Sequence, residues 1–254
     1  MSLVWLRARG ARFSRAALRA ALAVSLLLPL AVPSANALAQ KKGAAPARGK
    51  KDKPKDYSAV NLVLETSQGE ITIKPYFDKA PNHVKAMIDL AASGFYDGTL
   101  FHRVIPGFIV QTGDPFTKDT AKMPVWGTGG ATDAKGNKVT LKAEFSPAPH
   151  RRGVVSMAHA VNEPDSASSQ FFIVVKDSPL LDGQWTAVGE VVAGLEVVDK
   201  IVAESNADTA DRSGGKPRTY QKLVRARWVD AAATPSFPLV GDAPPAPAPT
   251  PAPR

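Results

Sequence analysis

Alternating hydrophobic and polar positions mark two short stretches early in the chain, VNLVLET at 60–66 and EITIK at 70–74. Such alternation is typical of β-strands, because successive side chains in a strand point to opposite faces. The stretches flank Gln68-Gly69, so the pattern predicts a β-hairpin. Further strand-like apolar runs follow at 100–105, 108–112, 153–158, 170–175 and 186–192, and in KLVRARWV, which ends at Val229.

Two other stretches have the period of a helix. In APNHVKAMIDLAASG, Pro81 suits an early helical position and Gly94 suits a C-terminal cap. Its apolar residues recur at i, i+3, i+4 and i+7, namely Val84, Met87, Ile88 and Ala91. We expect His83 to lie on the solvent side of this helix. A second helix, GLEVVDKIVAE, is expected to bury Leu195, Val198, Ile201 and Val202.

Many short strands with only two helices predict a mainly β fold. Closing the sheet into a barrel removes the unpaired edges that an open sheet exposes. We therefore predict a closed antiparallel eight-stranded barrel capped by two α-helices. The chain of 254 residues suits one such domain, which we place at residues 58–230, with appendages at both ends.

The first 39 residues are typical of a signal peptide. A basic region ending at Arg19 precedes the apolar run AALAVSLLLPLAV, and small residues at Ala35, Ala37 and Ala39 give two overlapping cleavage sites. The run is shorter than the roughly 20 residues that a membrane-spanning helix needs. We expect export to the periplasm, with secretion as the alternative destination and no membrane insertion after cleavage. An uncleaved single anchor is the alternative interpretation.

The segments beside the predicted domain lack any apolar period. Residues 40–57 are basic and contain Pro and Gly, which predicts a disordered linker. Alternatively, the lysines of this linker hold the protein near anionic lipid. Residues 231–254 form an Ala/Pro-rich tract that predicts a disordered, polyproline-like tail. This tail could itself be functional, as a ligand for a partner or as a spacer.

Charge and cysteine content exclude several classes of function. The net charge is +9, but residues 1–39 and 40–57 each carry +5, which leaves −1 for the rest of the chain. A near-neutral domain argues against a nucleic-acid groove. The absence of cysteine excludes disulfides, thiolate catalysis and cysteine zinc sites. Nothing in this composition suggests an oligomer, so we expect a monomer.

Three segments carry the candidate chemistry: FHRVIPGFIVQTGD (101–114), GVVSMAHAVNEPDSASSQFFIVV (153–175) and PLLDGQWTAVGEV (179–191). Strand alternation places Gln170 and Phe172 on one face, and Ile109 shares a face with Gln111. This alternation predicts a shallow groove with two amides and an apolar wall, which Arg103 would enter from the preceding strand.

These segments, in this order and with the GTGG loop at 127–130 between the first two, resemble the cyclophilin family of peptidyl-prolyl isomerases. The resemblance spans about residues 58–230 and implies the cyclophilin type of barrel. It also implies an enzyme that rotates X-Pro bonds without a cofactor or metal. Its partners would be proline-containing segments of unfolded or partly folded exported proteins. A non-catalytic chaperone or proline-peptide binding module is the alternative.

The resemblance also implies a role for each position in the groove. Arg103 matches the catalytic arginine, and Gln111 and Gln170 match side chains that bind the peptide and the arginine. The proline-pocket wall corresponds to Phe108, Ile109, Phe172 and Leu181, and further groove positions are His102 and Ala158.

Three substrate-groove positions depart from the well-known eukaryotic members. Leu180 stands where those have a tryptophan that contacts cyclosporin, Trp185 where they have a histidine, and His159 where they have an asparagine. The arginine and the pocket wall are intact, so isomerase activity is still expected. Tight cyclosporin binding is not expected.

Other catalytic constellations are weaker. Ser156, His159 and Asp165 lie close in sequence but lack the Gly-x-Ser-x-Gly context of a hydrolase nucleophile. The four histidines show no metal-ligand spacing. The GTGG loop is followed by no Gly-Lys-Ser/Thr, so we expect it to shape the groove wall rather than to hold phosphate.

Overall fold

The computed structural model describes residues 53–206 and 214–233. The predicted signal peptide, most of the predicted linker and nearly all of the predicted tail lie outside the described residues. Contacts with the domain are already made ahead of Ser58, since Lys53 Nζ lies 2.8 Å from a carboxylate oxygen of Asp89. Tyr57 donates a hydrogen bond to the same carboxylate and stacks on Phe77. None of the described helices has the length and apolar content needed to cross a membrane.

Eight strands form one antiparallel sheet, and two α-helices pack on it. The strands are β1 (Val60–Thr66), β2 (Gly69–Pro75), β3 (Arg103–Ile105), β4 (Ile109–Thr112), β5 (Val154–Met157), β6 (Phe171–Val174), β7 (Ala187–Ala193) and β8 (Leu223–Asp230). The helices are α1 (Pro81–Ala92) and α2 (Leu195–Glu204). Spatial order in the sheet is β3-β4-β6-β5-β7-β2-β1-β8. Each strand-like run in the sequence therefore contains one strand, and β1–β2 is the expected hairpin.

The sheet is an open half-barrel, so the prediction of a closed barrel is wrong. Among the described residues, the end strands β3 and β8 form no ladder with each other. Residues just ahead of the two end strands are joined by an isolated bridge between Leu100 and Lys222. The segment ahead of β8 covers the edge of β3 instead, because Val104 N donates to Gly215 O at 2.7 Å. A loop can thus protect a three-residue edge strand without closure of the sheet.

The inner face of the curved sheet packs against both helices. Phe101 and Phe171 are fully buried there, as the alternation predicts. In α1, the four predicted apolar positions are all buried. In α2, Val197 is buried along with Val198 and Ile201, whereas Leu195 and Val202 are half-buried at the edge of the core.

His83 is fully buried, and the expectation of a solvent-facing side chain is wrong. The loop after β4 brings Glu144 over the N-terminus of α1. Glu144 Oε2 lies 2.6 Å from His83 Nδ1 and accepts from His83 N, while Oε1 accepts from Asn82 N. A distant carboxylate therefore caps the first turn of α1 and covers the imidazole.

Candidate active site

A cavity of about 620 Å³ opens where β3, β4 and β6 meet the loops that follow β5 and precede β7. Every predicted site residue except Gln170 lines it. Gln170 lines an adjoining cavity of about 270 Å³, which shares Gln111 and Ala158 with the first. The structure therefore brings all three chemistry-bearing segments to one place.

Strand register positions the central side chains. Arg103 lies opposite Gln111 across β3 and β4, and Gln111 lies opposite Phe172 across β4 and β6. Residues that are directly opposite in an antiparallel pair project from the same face. The guanidinium, the amide and the aromatic ring therefore form one row across three strands, while neighbouring Phe171 faces the core.

A chain of hydrogen bonds holds the guanidinium at the cavity wall. Arg103 Nη1 donates to Gln111 Oε1 at 3.4 Å, and Gln111 Nε2 donates to Gln170 Oε1 at 2.9 Å. Gln170 Nε2 then donates to the backbone oxygens of Gly127 and Gly129, at 2.9 and 2.8 Å. Both glutamines are buried, whereas Arg103 is half-buried. This arrangement places the Arg103 guanidinium at the cavity wall.

The Asp114 carboxylate accepts hydrogen bonds from the backbone of the GTGG loop. Its Oδ2 accepts from Gly127 N and, at 3.3 Å, from Gly129 N, and its Oδ1 accepts from Phe116 N at 2.7 Å. A Cβ at Gly129 would lie 2.0 Å from Asp114 Oδ1, so only glycine allows this approach. These two loop amides bind an internal carboxylate, and Gly127 lines both cavities.

The apolar wall is rigidly packed. Ile109, Phe172 and Leu181 are nearly fully buried in a second hydrophobic cluster, separate from the main core. Phe108 and Trp185 pack against this cluster, and the Trp185 ring meets Phe172 edge-on with centroids 5.6 Å apart. Gly107 adopts a φ of 70°, which allows the turn that brings Phe108 back over the wall.

His102 contributes a neutral ring to the site. Burial lowers the pKa of its imidazole, and the nearby Asp114 carboxylate opposes this effect only in part. The His102 ring is therefore uncharged at pH 7 and adds no second cation beside Arg103.

The family comparison agrees with this geometry. Residues 61–225 match the family model of the cyclophilin type peptidyl-prolyl cis-trans isomerase/CLD. The chain belongs to the cyclophilin family.

The aligned region covers most of the length of two relatives. A probable peptidyl-prolyl cis-trans isomerase of Brucella abortus is 42% identical over 171 residues, which is 65% of this chain and 80% of the relative. The peptidyl-prolyl cis-trans isomerase ppi1 of Schizosaccharomyces pombe is 40% identical over 167 residues, covering 65% and 97%. Peptidyl-prolyl cis-trans isomerase activity is therefore supported for this cyclophilin.

A solved structure shares the fold. The crystal structure of a Cryptosporidium parvum cyclophilin type peptidyl-prolyl cis-trans isomerase, obtained in the presence of the dipeptide Ala-Pro, matches with a TM-score of 0.56. It is 28% identical and covers 66% of this chain and 97% of its own. The open half-barrel is thus the cyclophilin fold.

Several residues of this cyclophilin groove were missed by the sequence analysis, because they come from loops without periodicity. They are Met123, Trp126, Val161, Gln184, Gly214, Lys216 and Tyr220, whereas Gly127 belongs to the GTGG loop that was expected to shape the groove wall. Trp126 and Tyr220 hold each other edge-on, with centroids 5.1 Å apart. The position of Trp126 in a Pro/Gly-rich loop could have marked it as a candidate groove residue. No local sequence pattern, however, indicates its contact with Tyr220.

A serine, an imidazole and a carboxylate do form a hydrogen-bonded chain in the cyclophilin domain, but this chain is structural and is not a catalytic triad. Ser156 Oγ lies 2.7 Å from His150 Nε2, and His150 Nδ1 lies 2.9 Å from Asp182 Oδ1. Ser156 is fully buried, so a substrate carbonyl cannot reach its oxygen. The proximate trio Ser156, His159 and Asp165 does not assemble, since Asp165 accepts from Ala143 N.

Within residues 53–206 and 214–233, no cluster of three or more histidine, aspartate or glutamate side chains is placed to hold a metal ion.

Proposed function

We propose that Arg103 catalyses rotation about X-Pro bonds by donating a hydrogen bond to the prolyl nitrogen as the amide twists. The observation that carries the proposal is the half-buried guanidinium, held by Gln111 Oε1 in the same row as the Phe172 wall. Amide resonance sets a barrier of about 18–20 kcal/mol to rotation. When the amide twists, resonance is lost and the nitrogen regains a lone pair that can accept a hydrogen bond.

This hydrogen bond would accelerate rotation because it is stronger with the twisted amide than with the planar amide. A planar imide nitrogen has no free lone pair, so Arg103 would gain the bond chiefly in the transition state. Each 1.4 kcal/mol of such selective stabilisation is about tenfold in rate. Meanwhile the wall of Ile109, Phe172 and Leu181 would hold the proline ring while the rest of the peptide turns.

The substrates that we propose are proline-containing segments of unfolded or partly folded exported proteins. The Ala-Pro dipeptide in the Cryptosporidium parvum experiment supports proline peptides as ligands of this groove. A cavity of about 620 Å³ is within the range of small-ligand sites and can take a proline with its neighbours. Export rests on the basic and apolar pattern of residues 1–39, with the periplasm as the proposed compartment and secretion as the alternative.

A protease-coupled isomerase assay on a proline tetrapeptide tests the proposal with the full-length chain. Arg103→Ala should lower kcat/KM by about 100-fold or more, as is typical for removal of a preorganised donor. Peptide affinity should change by less than about tenfold, because the apolar wall remains. The matched control is Arg151→Ala, which removes an exposed arginine outside both cavities and should keep wild-type activity.

Equal turnover by wild type and Arg103→Ala would refute the catalytic assignment. Peptide binding without any acceleration in the wild type would instead favour the non-catalytic chaperone or binding module.

A further inference from the structure

Three neighbouring rings, those of His159, Trp185 and Phe172, line one side of the proline cavity. The His159 imidazole lies flat on the Trp185 indole, with centroids 3.9 Å apart and planes 19° apart. Trp185 in turn meets the Phe172 ring edge-on. Because Phe172 is part of the apolar wall, the position of His159 bears directly on the shape of the pocket.

Both ring nitrogens of His159 lie against carbonyl oxygens. Nδ1 is 2.8 Å from Ala160 O, and Nε2 is 3.0 Å from Gln184 O. A carbonyl oxygen can only accept, and a neutral imidazole carries one N–H, whereas an imidazolium carries two. The observed double contact is therefore fully satisfied only by the protonated ring. Stacking on an indole further favours a cation.

The two carbonyls belong to different walls of the groove. Ala160 O follows β5, in a turn in which it also accepts from Glu163 N. Gln184 O lies in the turn that carries Leu181 and Trp185, and this turn is closed by Gln184 N donating to Leu181 O. His159 consequently bridges the end of β5 to the segment that supplies two pocket residues.

We propose that His159 is a positioning residue whose protonated form holds Trp185 against the proline pocket, so that peptide affinity is higher at pH 5.5 than at pH 8. This inference rests on the proposed function of the same groove. Deprotonation removes the N–H from one of the two ring contacts, so that a ring nitrogen lone pair faces the lone pairs of that carbonyl oxygen. The bridge between the two turns is then weakened, and Trp185 is less firmly placed.

The charged and titratable groups around His159 do not account for the same pH response. Glu163 lies in its own turn, Lys138 lines the adjoining cavity, and Arg103 and Lys216 line the main one. Any pH response of these four groups persists in His159→Gln, which lacks only the imidazole. Two further histidines are close, and both are buried: His102 and His150, the latter bonded to Asp182 and Ser156. Their contribution is measured in the variant that lacks only His159.

The first test is the pH profile of kcat and KM for a non-ionising proline tetrapeptide, with the full-length chain between pH 5.5 and 8. In the wild type we expect KM to be about three- to tenfold lower at pH 5.5 than at pH 8, with little change in kcat. His159→Gln keeps a donor but cannot ionise, so its KM should be flat with pH. His159→Asn provides a second uncharged variant should the glutamine chain fold poorly.

The second test follows the indole itself. Emission from Trp185, obtained as the difference between wild type and Trp185→Phe, should increase as pH rises, because a protonated imidazole in contact quenches indole fluorescence. The titration should involve one proton and be absent from His159→Gln. Because this measurement requires no turnover, it tests the contact between His159 and Trp185 even if the chain shows no isomerase activity. A pH-dependent KM in His159→Gln equal to that of wild type, or Trp185 emission that does not titrate, would overturn the proposal.

Discussion

At the scale of single residues, the groove works through side chains that hold other side chains. Gln111 is buried and accepts from Arg103 while donating to Gln170. Removing one member of a buried hydrogen-bonded chain leaves its partners unsatisfied, which costs more than the bond alone. The orientation of Arg103 therefore depends on a residue with no role in bond rotation itself.

Gln111→Leu tests this dependence. The change should lower kcat/KM for a proline tetrapeptide by about 10- to 100-fold, because about 1.4 to 2.8 kcal/mol of transition-state stabilisation is lost with the orientation of the guanidinium. Steady-state kinetics of the purified chain measure it. Gln68→Leu, in the β1–β2 turn and outside both cavities, is the control for an amide-to-alkyl change. Wild-type kcat/KM in Gln111→Leu would show that Arg103 needs no such support.

At the scale of elements, α1 depends on a residue 61 positions away from its first turn. Burial acts to raise the pKa of Glu144, but hydrogen bonds from His83 and Asn82 outweigh it and hold that pKa below its ordinary value. A carboxylate with a lowered folded-state pKa stabilises the fold above its unfolded pKa of about 4.3, and the contribution is lost as pH falls through the folded value.

Glu144→Gln should therefore reduce the free energy of unfolding at pH 7 by about 1–3 kcal/mol, because an amide cannot accept from all the donors that the carboxylate serves. The difference from wild type should shrink as pH falls below the unfolded pKa of about 4.3 and through the lowered folded pKa, where the wild-type carboxylate becomes protonated. Denaturant unfolding at several pH values measures both effects. Glu204→Gln, an exposed change at the end of α2, should stay within about 0.5 kcal/mol. A Glu144→Gln deficit independent of pH would contradict the charged-cap account.

Elements whose signal is local could be predicted from the amino-acid sequence. The β1–β2 hairpin and the buried face of α1 follow from periods of two and 3.6 residues, and the row of Arg103, Gln111 and Phe172 follows from alternation plus the family resemblance. Contacts between distant segments carry no such period. The burial of His83 depends on Glu144, and the coverage of the β3 edge depends on Gly215, whose missing Cβ lets the chain approach Ile105.

At the scale of the whole molecule, the matched family region and the site both lie within residues 61–225. A chain of residues 40–230 should thus keep kcat/KM on a proline tetrapeptide within about twofold of the full-length chain, because both cavities are retained. A tenfold change in kcat/KM would require the loss of about 1.4 kcal/mol of transition-state stabilisation. The same coupled assay on both chains measures this. A loss of activity in the shortened chain would assign part of the catalytic function to the removed ends.

The most direct measurement of the central claim is the rate of cis-trans interconversion of a proline peptide bound to the protein, obtained by exchange NMR at saturating protein. This rate separates rotation from binding. The account predicts fast interconversion on the wild type and a rate about 100-fold lower on Arg103→Ala, with the peptide still bound. An equal on-protein rate for the two chains would contradict it.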